Sequence, residues 1–337
     1  MRFEFYHEGL NGAPLLSVDG TVEGALHLSH WEGNGTPEEL RADTSTEIAL
    51  NFAAWPRRGE WARGVEVVTN NHFDADGVLS VWAVLNGERA PGLKDELVSA
   101  AEAGDFSEFP GERAVRVSIL LQGGDNPFVP GVNSPLVAHL AGGVRVDERR
   151  AYELVLPEVE RVLTRTDEYE PLWREGWAQV ERGLDSFARG ESMVEEDGAS
   201  GLSVVTLGRG LYGGAGFTPP LHAVPYTAVA HNARGSLFLV AVPMAGGWAY
   251  RIDYPFYSWA ETRTRPRVAR RNLSGVVGRL NVLERGRGVW KADRSELTSA
   301  VKFFGDDGVP AASRLEPDEV AAELRDALKG HAVPPTT

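Results

Sequence analysis

The sequence predicts an α/β protein in three parts. Residues 1–147 form an α/β domain with a central, largely parallel sheet, 148–200 a helical connector and linker, and 201–337 a smaller α+β domain. Three observations lead there. The β-branched run VEVVT (65–69) passes through a polar turn into an apolar helical stripe of Val78, Leu79, Val81, Trp82 and Leu85, the strand–turn–helix unit of an α/β sheet. Residues 148–190 place Leu154, Val155, Val159, Val162, Leu163, Leu172, Trp173, Trp177, Val180, Leu184 and Phe187 at mostly helical spacing. Beyond them, strands at 202–207, 236–243 and 248–257 precede helices near 273–284 and 317–329.

The elements between follow from local signals. LHLSHW (26–31) alternates as a strand does, and Thr36-Pro37-Glu38-Glu39 reads as a helix start with Thr36 as N-cap. Helical character continues through STEIALNFAAW (45–55) and returns at LKDELVSAAEAG (93–104). AVRVSILL (114–121) predicts a buried strand. The segment 148–190 breaks into two helices near Asp167, and the acidic, non-periodic ESMVEEDGASG (191–201) is the linker candidate. Asp318 and Glu319 behind Pro317 suit the first turn of the last helix.

Composition narrows the function classes. The chain of 337 residues is 42% hydrophobic and 24% charged, a globular balance. It has no run near the ~20 apolar residues of a membrane span. Its start, MRFEFYHEGLNG, lacks a basic, apolar leader, which points to the cytoplasm. Zero cysteines remove disulfides, thiolate nucleophiles and cysteine zinc sites. A net charge of −14 argues against coating duplex DNA.

The chemistry concentrates in Asn71-His72-Phe73-Asp74-Ala75-Asp76-Gly77. In an extended turn, residues two apart project to one side, so His72, Asp74 and Asp76 can converge as a ligand set for Mn²⁺, Mg²⁺ or Fe²⁺. An EF-hand loop fails because Val78 and Leu85 stand where oxygen ligands belong. The alternative is a plain Asx turn with Asp76 as a helix N-cap. Asp105, in the loop after the 93–104 helix, is the first choice for a bridging carboxylate, ahead of His30, Asp43, Asp125 and His139.

HFDADG, after a buried strand and before an apolar helix, resembles motif I of the DHH-superfamily phosphoesterases, although the chain contains no Asp-His-His triplet. The resemblance implies a DHH-like N-terminal domain holding two Mn²⁺-like ions, with His72 and Asp74 on one and Asp76 on the other. The chain as a whole, through SHWEGN (29–34), ADTSTEIAL (42–50), AGDF (103–106) and RTRPR (263–267), resembles an uncharacterised bacterial family of unknown function.

Residues 263–287 hold eight arginines against one acid, Glu284, and follow Tyr254, Phe256, Tyr257 and Trp259. Arginines beside aromatic faces suit a phosphate-bearing ligand, so Arg263, Arg265, Arg267 and Arg271 are the substrate-binding candidates, with a solvated helix face as the alternative. Gly208-Arg209-Gly210-Leu211-Tyr212-Gly213 matches a dinucleotide fingerprint, but Pro219-Pro220 interrupts the required helix.

Together these features predict a metal-dependent phosphoesterase in which Asp74, Asp76 and Asp105 serve catalysis and hold metal with His72. Mn²⁺ or Mg²⁺ is the expected cofactor. The expected substrate is a small phosphorylated compound, nucleotide or short single-stranded oligonucleotide. A non-catalytic phosphate- or nucleotide-binding protein of the same fold, or a purely structural metal site, are the alternatives.

Overall fold

The computed structural model describes residues 1–124, 131–219, 221–292 and 299–328. It divides into two compact units: Met1–Ala178 with Trp259–Arg267, and Gln179–Ser258 with Val268–Thr337. The connector expected over 148–200 is thus divided between the two units, and Trp259–Arg267 belongs with the N-terminal part of the chain.

Unit 1 is built on strands β1 (Arg2–Phe3), β2 (Leu15–Val18), β3 (Leu26–Leu28) and β4 (Val67–Thr69), in the order β1-β4-β2-β3. All of its pairings are parallel, as expected of the central sheet. Its helices are α1 (Ser45–Ala54), α2 (Arg58–Trp61), α3 (Ala75–Leu85), α4 (Lys94–Asp105), α5 (Glu112–Gln122), α6 (Pro135–Leu140), α7 (Glu148–Val155) and α8 (Val159–Thr164). The unit boundary falls within α9 (Glu170–Ala188). β2 and β4 are buried throughout, the continuous apolar pattern of a parallel sheet covered on both faces. Parallel strands deliver their carboxyl ends to one edge, so the residues just after β2, β3 and β4 gather there.

Several sequence expectations change. AVRVSILL is the helix α5, not a strand: a short apolar run carries no period that separates a buried strand from a buried helix. Seven of its residues are buried, Ala114, Val115 and Val117 through Leu121. Thr36 does not cap a helix; it exchanges hydrogen bonds with Ser29, and Glu38–Leu40 is a single 3-10 turn. The helix that follows is capped by Thr44, whose hydroxyl accepts from the Glu47 N–H at 3.2 Å.

Unit 2 carries β5 (Met193–Asp197), β6 (Leu202–Thr206), β7 (Leu237–Met244), β8 (Gly247–Asp253), β9 (Val289–Ala292) and β10 (Ser299–Phe304), in the order β5-β6-β7-β8-β10-β9. Among the described residues of this sheet only β6 and β7 pair in parallel. The expected linker 191–201 therefore contains an edge strand, β5, paired antiparallel with β6. One sheet face packs Leu239, Ile252 and Phe303 against α11 (Ser274–Leu283) and α12 (Pro317–Leu328) through Leu280 and Leu324. The other packs Val205 and Val240 against α10 (Tyr226–Asn232) through Val229. The glycine-rich 208–213 segment enters a 3-10 turn rather than an α-helix.

The β4–α3 junction is closely packed. Asp74, rather than Asp76, is the N-cap of α3, accepting from the Gly77 N–H at 2.8 Å. A methyl group on Gly77 would lie 2.5 Å from Asn70 Nδ2 and 2.6 Å from the Tyr152 hydroxyl. Those two atoms share a 2.9 Å hydrogen bond inside the core. Gly77→Ala should therefore cost about 1–3 kcal/mol in urea unfolding, the range for overpacking. An unchanged midpoint would contradict this packing.

Candidate metal centre

Three strand ends and two helices supply the site. β2 runs out at Asp19, two residues after β3 comes His30, and β4 leads into the loop of His72 and Asp74. Asp76 lies in the first turn of α3, and Asp105 ends α4. Asp19 adopts a left-handed backbone conformation, φ 64°, which costs a residue with a side chain roughly 1–3 kcal/mol unless its surroundings hold it. Here they do. The Asp19 N–H donates to Leu28 at 2.9 Å, its carbonyl accepts from the Ser29 hydroxyl at 2.5 Å, and Ser17 hydrogen-bonds the carbonyl of Gly20 at 2.7 Å. Gly20 also permits close approach, since a methyl there would meet Asn71 Oδ1 at 2.3 Å.

Two groups of ligand-type side chains result, each with its ligand atoms mutually within 4.8 Å, and Asp19 belongs to both. The inner group is Asp19, His30, Asp76 and Asp105. His30 Nε2 stands 3.5 Å from Asp19 Oδ1, 3.7 Å from Asp76 Oδ2 and 3.3 Å from Asp105 Oδ2, all essentially buried. The outer group is Asp19, His72 and Asp74. His72 Nε2 lies 2.8 Å from Asp19 Oδ2 and 3.1 Å from Asp74 Oδ2, with the His72 and Asp74 side chains 26% and 30% exposed. Asp19 thus turns one oxygen to each imidazole.

Each imidazole is held from behind. His30 Nδ1 donates to the Asp43 carbonyl at 2.7 Å, and His72 Nδ1 to Asn71 Oδ1 at 3.0 Å, which leaves Nε2 of both rings facing the carboxylates. Asp76 accepts the Ser45 and Thr46 N–H groups, one on each oxygen at 2.7 Å, so the positive end of α1 steadies its charge. Both oxygens of Asp19 and the Nε2 atoms of His30 and His72 are buried and yet make no properly directed hydrogen bond. Buried polar atoms that converge without satisfying one another fit ligation of a cation. Either group could hold a metal ion.

The electrostatics agree. Fully ionised, the four carboxylates would outweigh both protonated rings, and the cluster responds by shifting its pKa values. Burial alone would lower the His30 pKa, but Asp105, Asp76 and Asp19 hold it up at about 10. His72 is likewise raised, to about 12, by Asp74 and Asp19 against its burial. Burial and the Asp19 charge push Asp76 up to about 7, and burial beside Asp74 pushes Asp105 well above the carboxylate range. Asp19, despite burial, is held low by His72 and His30.

The sequence candidates divide accordingly. His72, Asp74, Asp76 and Asp105 come together, but His72 and Asp74 lie in one group and Asp76 and Asp105 in the other. Asp19 is the residue that sequence reasoning missed, and His30 belongs to the centre rather than to a second rank of candidates. Asp43 faces away, accepting from the backbone of Thr264 at 2.9 Å and pairing with Arg265 at 2.7 Å. His139 is exposed on α6, and Asp125 lies outside the described residues. Arg263 pairs with Glu38, Arg265 is bound by three carboxylates, Arg267 is exposed, and Arg271 belongs to unit 2.

The sequence pattern of a family of unknown function (DUF6687) matches residues 2–333. The chain belongs to this family. No curated protein matches the chain. Among the described residues no helix is long and apolar enough to cross a membrane.

Metal binding should be coupled to proton release. The metal-free imidazoles, with pKa values raised to about 10 and about 12, are protonated at neutral pH, whereas a ligating imidazole is neutral. A divalent cation in the outer group should displace about one imidazolium proton, so its affinity there should rise about tenfold per pH unit between pH 6 and 8; in the inner group Asp76 and Asp105 must lose protons too, so the rise should be steeper. Calorimetry in buffers of different ionisation enthalpy measures the proton count. Affinity independent of pH over that range would contradict the protonated metal-free state.

Proposed function

We propose that this member of the family is a metal-dependent phosphoesterase with a two-ion site on a DHH-like parallel sheet. The single observation that carries this is the Asp19 carboxylate shared between two carboxylate–imidazole groups, since a bridging carboxylate is what holds two ions at the ~3.5–4 Å separation of two-metal phosphoryl-transfer sites. The resemblance of HFDADG to motif I of the DHH phosphoesterases supports it. Oxygen-rich groups with one imidazole each favour Mn²⁺, with Mg²⁺ second.

When bound, such ions neutralise phosphoryl oxygens and lower the pKa of a water. The chain's own residues divide the work. Asp19, His30, Asp76 and Asp105 offer four buried ligands that exclude water, a closed set of the kind that retains its ion. Asp19, His72 and Asp74 offer three, and their exposed side leaves room for a water and a phosphate. Trp31 stands 5.5 Å from His72 and Trp259 4.9 Å from His30, giving the site apolar walls that strengthen electrostatic contacts within it. A small phosphorylated compound, nucleotide or short oligonucleotide is the substrate class.

The test is hydrolysis of bis-p-nitrophenyl phosphate, p-nitrophenyl phosphate, pyrophosphate and a short single-stranded oligonucleotide, each with Mn²⁺ or Mg²⁺. Activity on at least one is expected. Asp19→Asn should reduce it by roughly a thousandfold, because it disables both groups at once. Two bound ions with no hydrolysis of any of these substrates would replace this function with the non-catalytic, metal-dependent phosphate-binding alternative.

A further inference from the structure

The sequence directs Arg265 at a phosphate, yet its neighbours in the structure are carboxylates. Its Nη1 donates to Asp43 Oδ2 at 2.7 Å and its Nε to Glu108 Oε1 at 2.8 Å. Its Nη2 donates to Glu102 Oε1 at 2.8 Å and Glu108 Oε2 at 2.5 Å. The side chain is 13% exposed, and the guanidinium lies 4.7 Å over the Phe106 ring.

Two of these partners lie on the segment that carries Asp105, and the third touches His30. Asp43 is the residue whose carbonyl fixes His30 Nδ1, and its carboxylate is gripped by Arg265 and by the hydroxyl and N–H of Thr264. Glu102 and Glu108 flank Asp105 on either side of a turn in which Ser107 takes a positive φ of 50°. Such backbone strain persists only where surrounding contacts over-determine it, and the two arms of Arg265 span that turn. Phe106 lies beneath the guanidinium and 5.8 Å from the His30 ring, which closes the loop. An ammonium could not do this, because one point charge lacks the planar fork that addresses three carboxylates in fixed directions.

We propose that Arg265 is a positioning residue for the inner group, holding His30 and Asp105 at the spacing a divalent cation needs without touching substrate. This rests on the metal-binding part of the function proposed above, and the test separates the two. Mn²⁺ is titrated into the full chain by calorimetry and followed by electron paramagnetic resonance, using wild type, Arg265→Ala, Arg265→Lys and His72→Ala. Melting temperatures of the metal-free proteins are measured in parallel.

Wild type should show two classes of Mn²⁺ site, and His72→Ala should lose the outer one. Both Arg265 variants should lose roughly 10–100-fold in inner-site affinity, the range for removing an outer-shell partner, with the outer class retained and the inner-site spectrum altered. Should Arg265→Ala fail to fold, Glu102→Gln and Glu108→Gln each remove one arm and should give smaller losses in the same direction. Wild-type affinity at the inner site in the Arg265 variants, or equal loss at both sites, overturns the positioning role. Absence of Mn²⁺ binding in the wild type overturns the metal centre itself.

Discussion

One buried carboxylate joins the two ligand groups at the carboxyl edge of the parallel sheet. Asp19 presents one oxygen to His30 and the other to His72, and it can do so only because its backbone is held at positive φ after β2. A one-residue change in the exit of β2 would swing the carboxylate away from both rings. The anchors that prevent this are short-range: Ser17, Leu28 and Ser29, on β2 or next to it in β3 and its exit. The position of Asp19 is therefore set within the first thirty residues, before the His72–Asp76 segment is reached.

Concentrating four carboxylates, three of them buried, is expensive, since each buried charge forgoes hydration worth several kcal/mol. The fold offsets this with dipoles and partners rather than with solvent. α1 directs two backbone N–H groups at Asp76, α3 takes one oxygen of Asp74 as its cap, and His30 stands among three of the acids. Asp105 has only His30 as a partner in the centre, and burial beside Asp74, Asp76 and Asp19 drives its pKa up despite that contact. A cation is the compensation that this geometry favours.

The sequence reveals the parallel sheet's best strand, β4, and the helix after it, because β-branched residues and helical spacing are local signals. It also reveals His72, Asp74, Asp76 and Asp105 as candidates, because ligand-type residues at short spacing stand out. The resemblance to motif I also separates His72 and Asp74 from Asp76; what the sequence does not reveal is that Asp19 belongs to both groups and His30 to one, since those two residues arrive from other strands. A signal for Asp19 was present: the buried run LLSV (15–18) ending in Asp19-Gly20 has the same strand-then-turn form as VVT before its loop. Arg265 was legible as an unusual cation but not as a structural one, because its partners Asp43, Glu102 and Glu108 are more than 150 residues away. The strand expected at 114–121 failed for the opposite reason: only tertiary packing decides the form of a short apolar run.

The return of Trp259–Arg267 to unit 1 also bears on how the protein comes off the ribosome. Asp43 and Arg265 are separated by 222 residues, and Glu261 donates its N–H to the His30 carbonyl at 2.7 Å. A nascent chain that has emerged only as far as α9 possesses every ligand of the centre but not the segment that braces His30. Domains commonly fold in order of synthesis, N-terminal first. Here the segment that braces His30 is synthesised only after about half of the second unit, so the first unit cannot reach its full set of contacts until then.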